Sequence, residues 1–489
     1  MSDAAAVVGA AGALAAIAGR GRIAVLAGLA AIAAAEVMLA SDLVPGSLTG
    51  KLTSAGGAAG LVLGLPLLAV LGAAFVRWPA LVPPVVVAAA PFRLPFDIGA
   101  GHRLFIGLGE NGALGRLVPL YAVLAGAGIA LAWRAVRGET PRPLPLEVAI
   151  PAGLLAALMT VSLLWAYDDA AARDRLAFFI LPFSALLAIV ARAPFRAWLP
   201  KVLAIEAVAI ACLFAAVGIG EAWTHRLLFY DPKLDVANTY TSYFRVTSLF
   251  DDPSIYARHL AAAITILVVA LWLGRVTVVA GVALVAFIWT GMFFSYSQSS
   301  MVALGAAVVV VSFLVAGRKT RRTLVILAAS LLAVGALAFA GLLATGHSIT
   351  RVTSDRSTLI RHTWVVFRNH PLDGVGLASQ PAATRDETDG PREVRLNVSH
   401  TAPLTVAAEL GALGLFLYFV LLLGAFRLFQ TVRRGETALG LGLIGVFTVW
   451  IVHSLSYGVF FEDPLVWAAL GVGACAAAAA VGARSPAGT

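Results

Sequence analysis

His400 and Glu409 stand nine residues apart in the stretch SHTAPLTVAAELGALG, and a run of arginines leads up to them. Seven arginines fall between Arg351 and His400, in a chain where Lys, Arg, Asp and Glu together make up only 12% of residues. A neutral histidine can take a proton from a hydroxyl, as a general base must. Arginine holds a permanent charge on a planar fork of donors that matches phosphate oxygens. Together they suit a reaction in which a hydroxyl attacks and a phosphate leaves. Each residue also has a plainer reading. His400 alone fits a solvated interfacial histidine, and the arginines fit a patch for lipid headgroups. Glu409 fits a structural ion pair, because a lone carboxylate in a membrane helix costs about 2.5 kcal/mol or more.

The arginines are spaced in a recognisable order. Arg351, Arg356, Arg361 and Arg368 precede Asn369-His370-Pro371-Leu372-Asp373-Gly374-Val375-Gly376. A second basic group, Arg245, Arg258 and His259, flanks Asp251-Asp252-Pro253, which reads as a turn with Asp252 capping the next helix. The polar run Ser295-Tyr296-Ser297-Gln298-Ser299-Ser300 separates two apolar stretches and fits either a channel lining or a simple turn. No His, Cys, Asp or Glu set has metal-ligand spacing, and no phosphate-binding glycine loop is present, so the expected chemistry needs neither metal nor cofactor.

These residues must be positioned by membrane helices. Hydrophobic residues are 60% of the chain and mean hydropathy is +0.91. Uncharged runs recur at roughly the 17–25 residues that a helix needs to cross a bilayer. Backbone in lipid must satisfy its own hydrogen bonds, and a barrel's alternating pattern is missing. The fold class is therefore an all-α polytopic membrane protein of about 12–15 transmembrane helices. Expected spans run from 4–18, 22–40, 57–76 and 79–92 to 402–426, 437–456 and 464–482. With the N-terminus outside, the loops rich in arginine, such as Arg134/Arg137/Arg142 and Arg318/Lys319/Arg321/Arg322, all fall inside. That assigns the net charge of +9 to topology rather than to nucleic acid. It also places loops 221–255 and 346–400 together outside, and such lengths usually mean function or disorder. Cys212 and Cys475, each within an apolar run, read as core residues.

The series Arg356, Asn369–Gly376, His400 and Glu409-x-Gly411-x-x-Gly414, with Arg245 and Phe250–Ser254 upstream, resembles the O-antigen ligase family of bacterial membrane glycan ligases and polymerases. The likeness runs from about Arg245 to the C-terminus. It divides the chain into extra N-terminal helices at 1–78 and a ligase-like domain at 79–489. The family's Ser-Arg pair stands here as Ser297-Gln298, and its His-Asn as His400-Thr401. The resemblance implies transfer of a glycan from a polyprenyl-diphosphate carrier to an acceptor hydroxyl, at the extracytoplasmic face of the plasma or inner membrane. His400 would assist the acceptor hydroxyl and Arg356 would hold the diphosphate. Arg245, Arg258, Gln298, Arg361 and Glu409 would bind substrate. Partners would be the lipid-linked glycan donor, a glycan or lipid acceptor and membrane lipids, with no nucleic acid. The alternatives are a transporter of lipid-linked glycans, which would spread charge through its spans, and a non-catalytic scaffold.

Overall fold

The computed structural model describes residues 1–43, 55–92, 96–97, 103–104, 117–228, 232–250, 252–345, 356–389, 398–458 and 460–482. Arg351 and Asp251 lie outside the described residues. The chain is all-α, apart from a two-residue antiparallel pairing of Phe96–Asp97 with Arg103–Leu104. Its helices in order are α1 (Ser2–Ala18), α2 (Arg22–Leu43), α3 (Ala55–Arg77), α4 (Val82–Ala89), α5 (Val118–Val136), α6 (Leu146–Val161), α7 (Asp169–Arg175) and α8 (Leu181–Ala191). They continue with α9 (Leu199–Thr224), α10 (Pro232–Tyr240), α11 (Pro253–Trp272), α12 (Val278–Phe293), α13 (Gln298–Val315), α14 (Arg318–Ala344) and α15 (Arg356–Asn369). The last four are α16 (Gln380–Glu387), α17 (Ala402–Gly435), α18 (Thr437–Ser454) and α19 (Pro464–Gly482).

The protein is a multi-pass membrane protein. Among the described residues, nine helices are long and apolar enough to cross a bilayer. Shorter apolar helices at Ser2–Ala18, Val278–Phe293, Ala333–Ala344 and Pro464–Ala479 coincide with the remaining expected spans. One expectation changes. Runs 57–76 and 79–92 are two arms of one element bent by 109°. The cause is local: Trp78, next to Pro79, leaves helical geometry at φ −130° and ψ 66°, and the residue before a proline disfavours the α region.

The N-terminal helices are packed into the body of the protein. One continuous apolar core includes Ala5 and Ile17 of α1, Val25 and Ile32 of α2, and Cys475 of α19. Small residues let α1 and α2 approach closely, because a Cβ on Gly28 would strike the backbone of Ala16. The centre is filled by large side chains such as Trp450, Trp467, Phe183 and Tyr418, all fully buried.

Four helices matter for positioning: α11, α13, α17 and α18 pack side by side. Hydrogen bonds register four of their ends at one rim. Ser300 Oγ at the start of α13 donates to Ser254 O at the start of α11, at 3.3 Å. Thr401 Oγ1 before α17 donates to Leu455 O after α18, also at 3.3 Å.

Candidate active site at the helix rim

The rim is built from helix starts whose first N–H groups need partners. Asp252 Oδ1 accepts from Ser254 N at 2.6 Å and Ile255 N at 3.1 Å, so Asp252 caps α11 as its spacing suggests. Its other oxygen accepts from the Tyr457 hydroxyl at 2.9 Å. Ser297 caps α13, and Gln298 is exposed at that helix's first position. Arg245 joins this polar run, its Nε donating to Ser295 O at 3.0 Å, while Asn238 holds its backbone from both sides.

The expected span 402–426 is interrupted. Gly411 sits at φ 64° and ψ −167°, so α17 is two helices, 402–410 and 412–435, joined at a break. A break leaves backbone groups without their helical partners. The loop at 370–376 supplies replacements. Ala412 N donates to Pro371 O at 2.8 Å, and Ala408 O and Glu409 O accept from Val375 N at 3.0 Å and Gly376 N at 2.8 Å. In an unbroken helix Ala412 N would have gone to Ala408 O, so the loop exchanges one helical bond for a long-range clasp. The clasp requires glycine. Gly374 and Gly411 both have φ near 65°, as 68° and 64° respectively. A Cβ on Gly411 would strike Leu372 O, and one on Gly374 would strike the Glu409 carbonyl.

The clasp also engages the rim end of α6. Tyr167 N donates to Val375 O at 2.9 Å, and Leu377 N to Ser162 Oγ at 3.1 Å. Contacts at both ends of 402–410 involve rim segments: Thr401 touches Leu455, and the Glu409 carboxylate interacts with Arg175. This short helix therefore belongs to the rim, and 412–435 is long enough to span alone.

Glu409 is engaged structurally. Its carboxylate accepts the backbone N–H groups of Ala378 and Gln380 at the start of α16, and Arg175 faces it. Arg175 in turn pairs with Glu462. The Glu409 carboxylate thus feels a named cation. Arg258 is likewise occupied. It is fully buried, paired with Asp463, and its guanidinium carbon lies 5.4 Å from the Trp450 ring centroid. Burial removes it from the open rim where a headgroup would sit.

His400 is half-buried just ahead of α17. Its neighbour Ser399 is fully buried, with its N–H donating to Gln380 Oε1 at 3.0 Å. Burial holds the His400 pKa below the ordinary histidine value, and Arg356 lowers it further, while Asp252 opposes them. The imidazole is therefore neutral at neutral pH, with a cation and a carboxylate both close enough to act on it. Arg356 is exposed at the start of α15. Arg361 is exposed one turn later, where burial and then Arg361 depress the neighbouring His362. Among the described residues neither arginine has an ion-pair partner.

The structure thus brings His400, Arg356 and Asp252 within electrostatic reach and places Arg245 beside the Ser295–Ser300 run. Arg258 is ion-paired with Asp463, and Glu409 is held by backbone N–H groups beside α16 and by the field of Arg175. Sequence reasoning missed Asp463, Tyr457, Gln380 and Arg175 as organising residues. Asp463-Pro464 repeats the Asp252-Pro253 pattern, and that repetition was a readable signal.

No curated protein matches the chain. Residues 282–419, from within α12 to the spanning half of α17, match the family model described as O-antigen ligase, and this segment carries Gln298, Arg356, Arg361, the clasp, His400 and Glu409.

Proposed function

We propose that this protein is a membrane glycosyltransferase that moves a glycan from a polyprenyl-diphosphate carrier to an acceptor hydroxyl at the extracytoplasmic face. The observation that carries the reading is the neutral, half-buried His400 with Arg356 and Asp252 around it, inside the segment that matches the O-antigen ligase model. The acceptor oxygen attacks the anomeric carbon, and the bond from that carbon to the diphosphate oxygen breaks. The hydroxyl proton passes to the neutral imidazole of His400. Negative charge gathers on the departing polyprenyl diphosphate, which Arg356 stabilises through its forked donors.

Three features support this assignment. Arg356 is exposed at the start of α15, and its forked donors match the oxygens of an anion. Arg245 and exposed Gln298 share the neighbouring polar run, where sugar hydroxyls could be held. A cavity of about 700 Å³, lined by residues such as Leu203, Val208, Leu443 and Val446, opens among α9, α11 and α18. His259 and Trp450 also line it, and Trp450 contacts Arg258. An apolar cavity of this kind suits the hydrocarbon part of the donor.

The test is purified protein in lipid nanodiscs with a polyprenyl-diphosphate oligosaccharide and candidate acceptors. His400→Ala should lose product formation by roughly 100-fold or more, the usual weight of a general base. Arg356→Lys should remain impaired, since lysine cannot make the bidentate contact. Wild-type rates in His400→Ala would sink the assignment.

A further inference from the structure

The side chain of Gln380 makes a connection that the chemistry above does not use. It is fully buried, yet it carries three polar contacts to three different segments. Oε1 accepts from Ser399 N, beside His400, at 3.0 Å. Nε2 donates to Thr363 Oγ1 of α15 at 3.2 Å and to Thr384 Oγ1 of α16 at 2.7 Å. Thr363 passes its own hydroxyl hydrogen to Leu359 O at 2.8 Å, which leaves its oxygen free to accept from Gln380. The backbone N–H of Gln380 is held by the Glu409 carboxylate. One residue therefore ties the segment before His400 to the helix that begins with Arg356.

We propose that Gln380 is a positioning residue that sets the spacing between His400 and Arg356, a proposal resting on the catalytic reading given above. The side-chain type is specified by the partners. Ser399 offers its N–H, so an acceptor is needed there, while the Thr363 oxygen, its hydrogen already given to Leu359 O, needs a donor. An amide of this length supplies both. Glutamate at neutral pH has no donor, methionine has neither function, and asparagine is one carbon shorter. Buried polar contacts of this kind specify a single geometry when all are satisfied, and small misplacements of reacting groups are costly to rate.

The experiment uses the full-length protein in nanodiscs with the polyprenyl-diphosphate donor. Gln380→Met should lower kcat roughly 10- to 100-fold, with a much smaller change in donor KM. Added to His400→Ala, it should cause no further loss, because it acts through that residue. Gln380→Glu should be impaired at neutral pH and recover as the pH falls, since a protonated carboxyl again donates and accepts. Unfolding midpoints are measured for every variant. If Gln380→Met does not fold, Thr363→Val removes one contact and should show the same kcat-weighted loss at smaller size. Unchanged kcat in folded Gln380→Met, or an additive loss in the double variant, overturns the proposal.

The two readings fail separately. Should His400→Ala keep full activity, the catalytic reading falls, and positioning is then read directly from the ring. Diethyl pyrocarbonate modification of His400, followed by mass spectrometry across pH, should shift its midpoint in Gln380→Met. An unshifted profile overturns the positioning role whatever the reaction.

Discussion

Asp252 and Asp463 each precede a proline that opens a helix, and each gives one oxygen to backbone N–H groups at that helix start. Their second oxygens lead to different outcomes. Asp463 pairs with Arg258, and both side chains are fully buried. Asp252 accepts from the hydroxyl of Tyr457, a partner that carries no cationic charge. The first carboxylate is cancelled inside the bundle and holds helices together. The second still acts on its surroundings, and His400 feels it. The local device is the same, and the charge of the partner decides whether it becomes architecture or part of a site.

The largest effect should come from unpairing the buried side. Arg258→Ala leaves the Asp463 carboxylate without its cation in a water-poor interior, which should cost about 3–5 kcal/mol. Thermal unfolding of the purified protein checks this. Asp463→Asn should be nearly as damaging, because it keeps the cap but strands the arginine. The matched change Asp252→Asn should cost less than about 1 kcal/mol, since asparagine caps about as well as aspartate. Equal losses from the two Asp→Asn variants would break the comparison.

A smaller effect isolates the hydroxyl contact. Tyr457→Phe removes one hydrogen bond to a charged acceptor at a half-buried position, worth about 1–2 kcal/mol. A loss matching that of Arg258→Ala would mean that Asp252 is as dependent on its partner as Asp463.

The smallest effect in energy sharpens the functional half of the comparison. In the proposed reaction the neutral form of His400 takes the proton, so activity should be present above its depressed pKa and lost as pH falls through it. The acid limb of kcat/KM should therefore lie below the ordinary histidine value. Arg356 lowers this pKa and Asp252 raises it. Arg356→Ala should accordingly move the limb to higher pH, and Asp252→Asn to lower pH. Limbs that move in the opposite directions, or do not move, would remove both residues from the surroundings of His400.

Much of the helical layout was legible in the chain because each span carries its own signal: about twenty apolar residues bounded by charge or proline. The same holds for Asp252 as a cap, which depends only on the next three residues. The bend between 57–76 and 79–92 was half-legible, since Pro79 was visible but its angle was not. The break at Gly411 was hidden. A lone glycine in an apolar run reads as close packing, and only the clasp from 370–376 reveals it as a helix end. The surroundings of Arg258 and Glu409 were hidden for a related reason. Their charges are plain in the sequence, while Asp463 and Arg175 are hundreds of residues away.

The amino-acid sequence by itself determined the bilayer-spanning class, most helix positions, and the supply of arginines and one histidine at a polar segment. Hydropathy and capping act over a few residues, so they can be read locally. Tertiary structure decided which charges cancel, where α17 breaks, and that Gln380 joins the segment of His400 to the helix of Arg356. Those outcomes depend on partners brought together only when the helices pack, and no local pattern encodes a partner's identity.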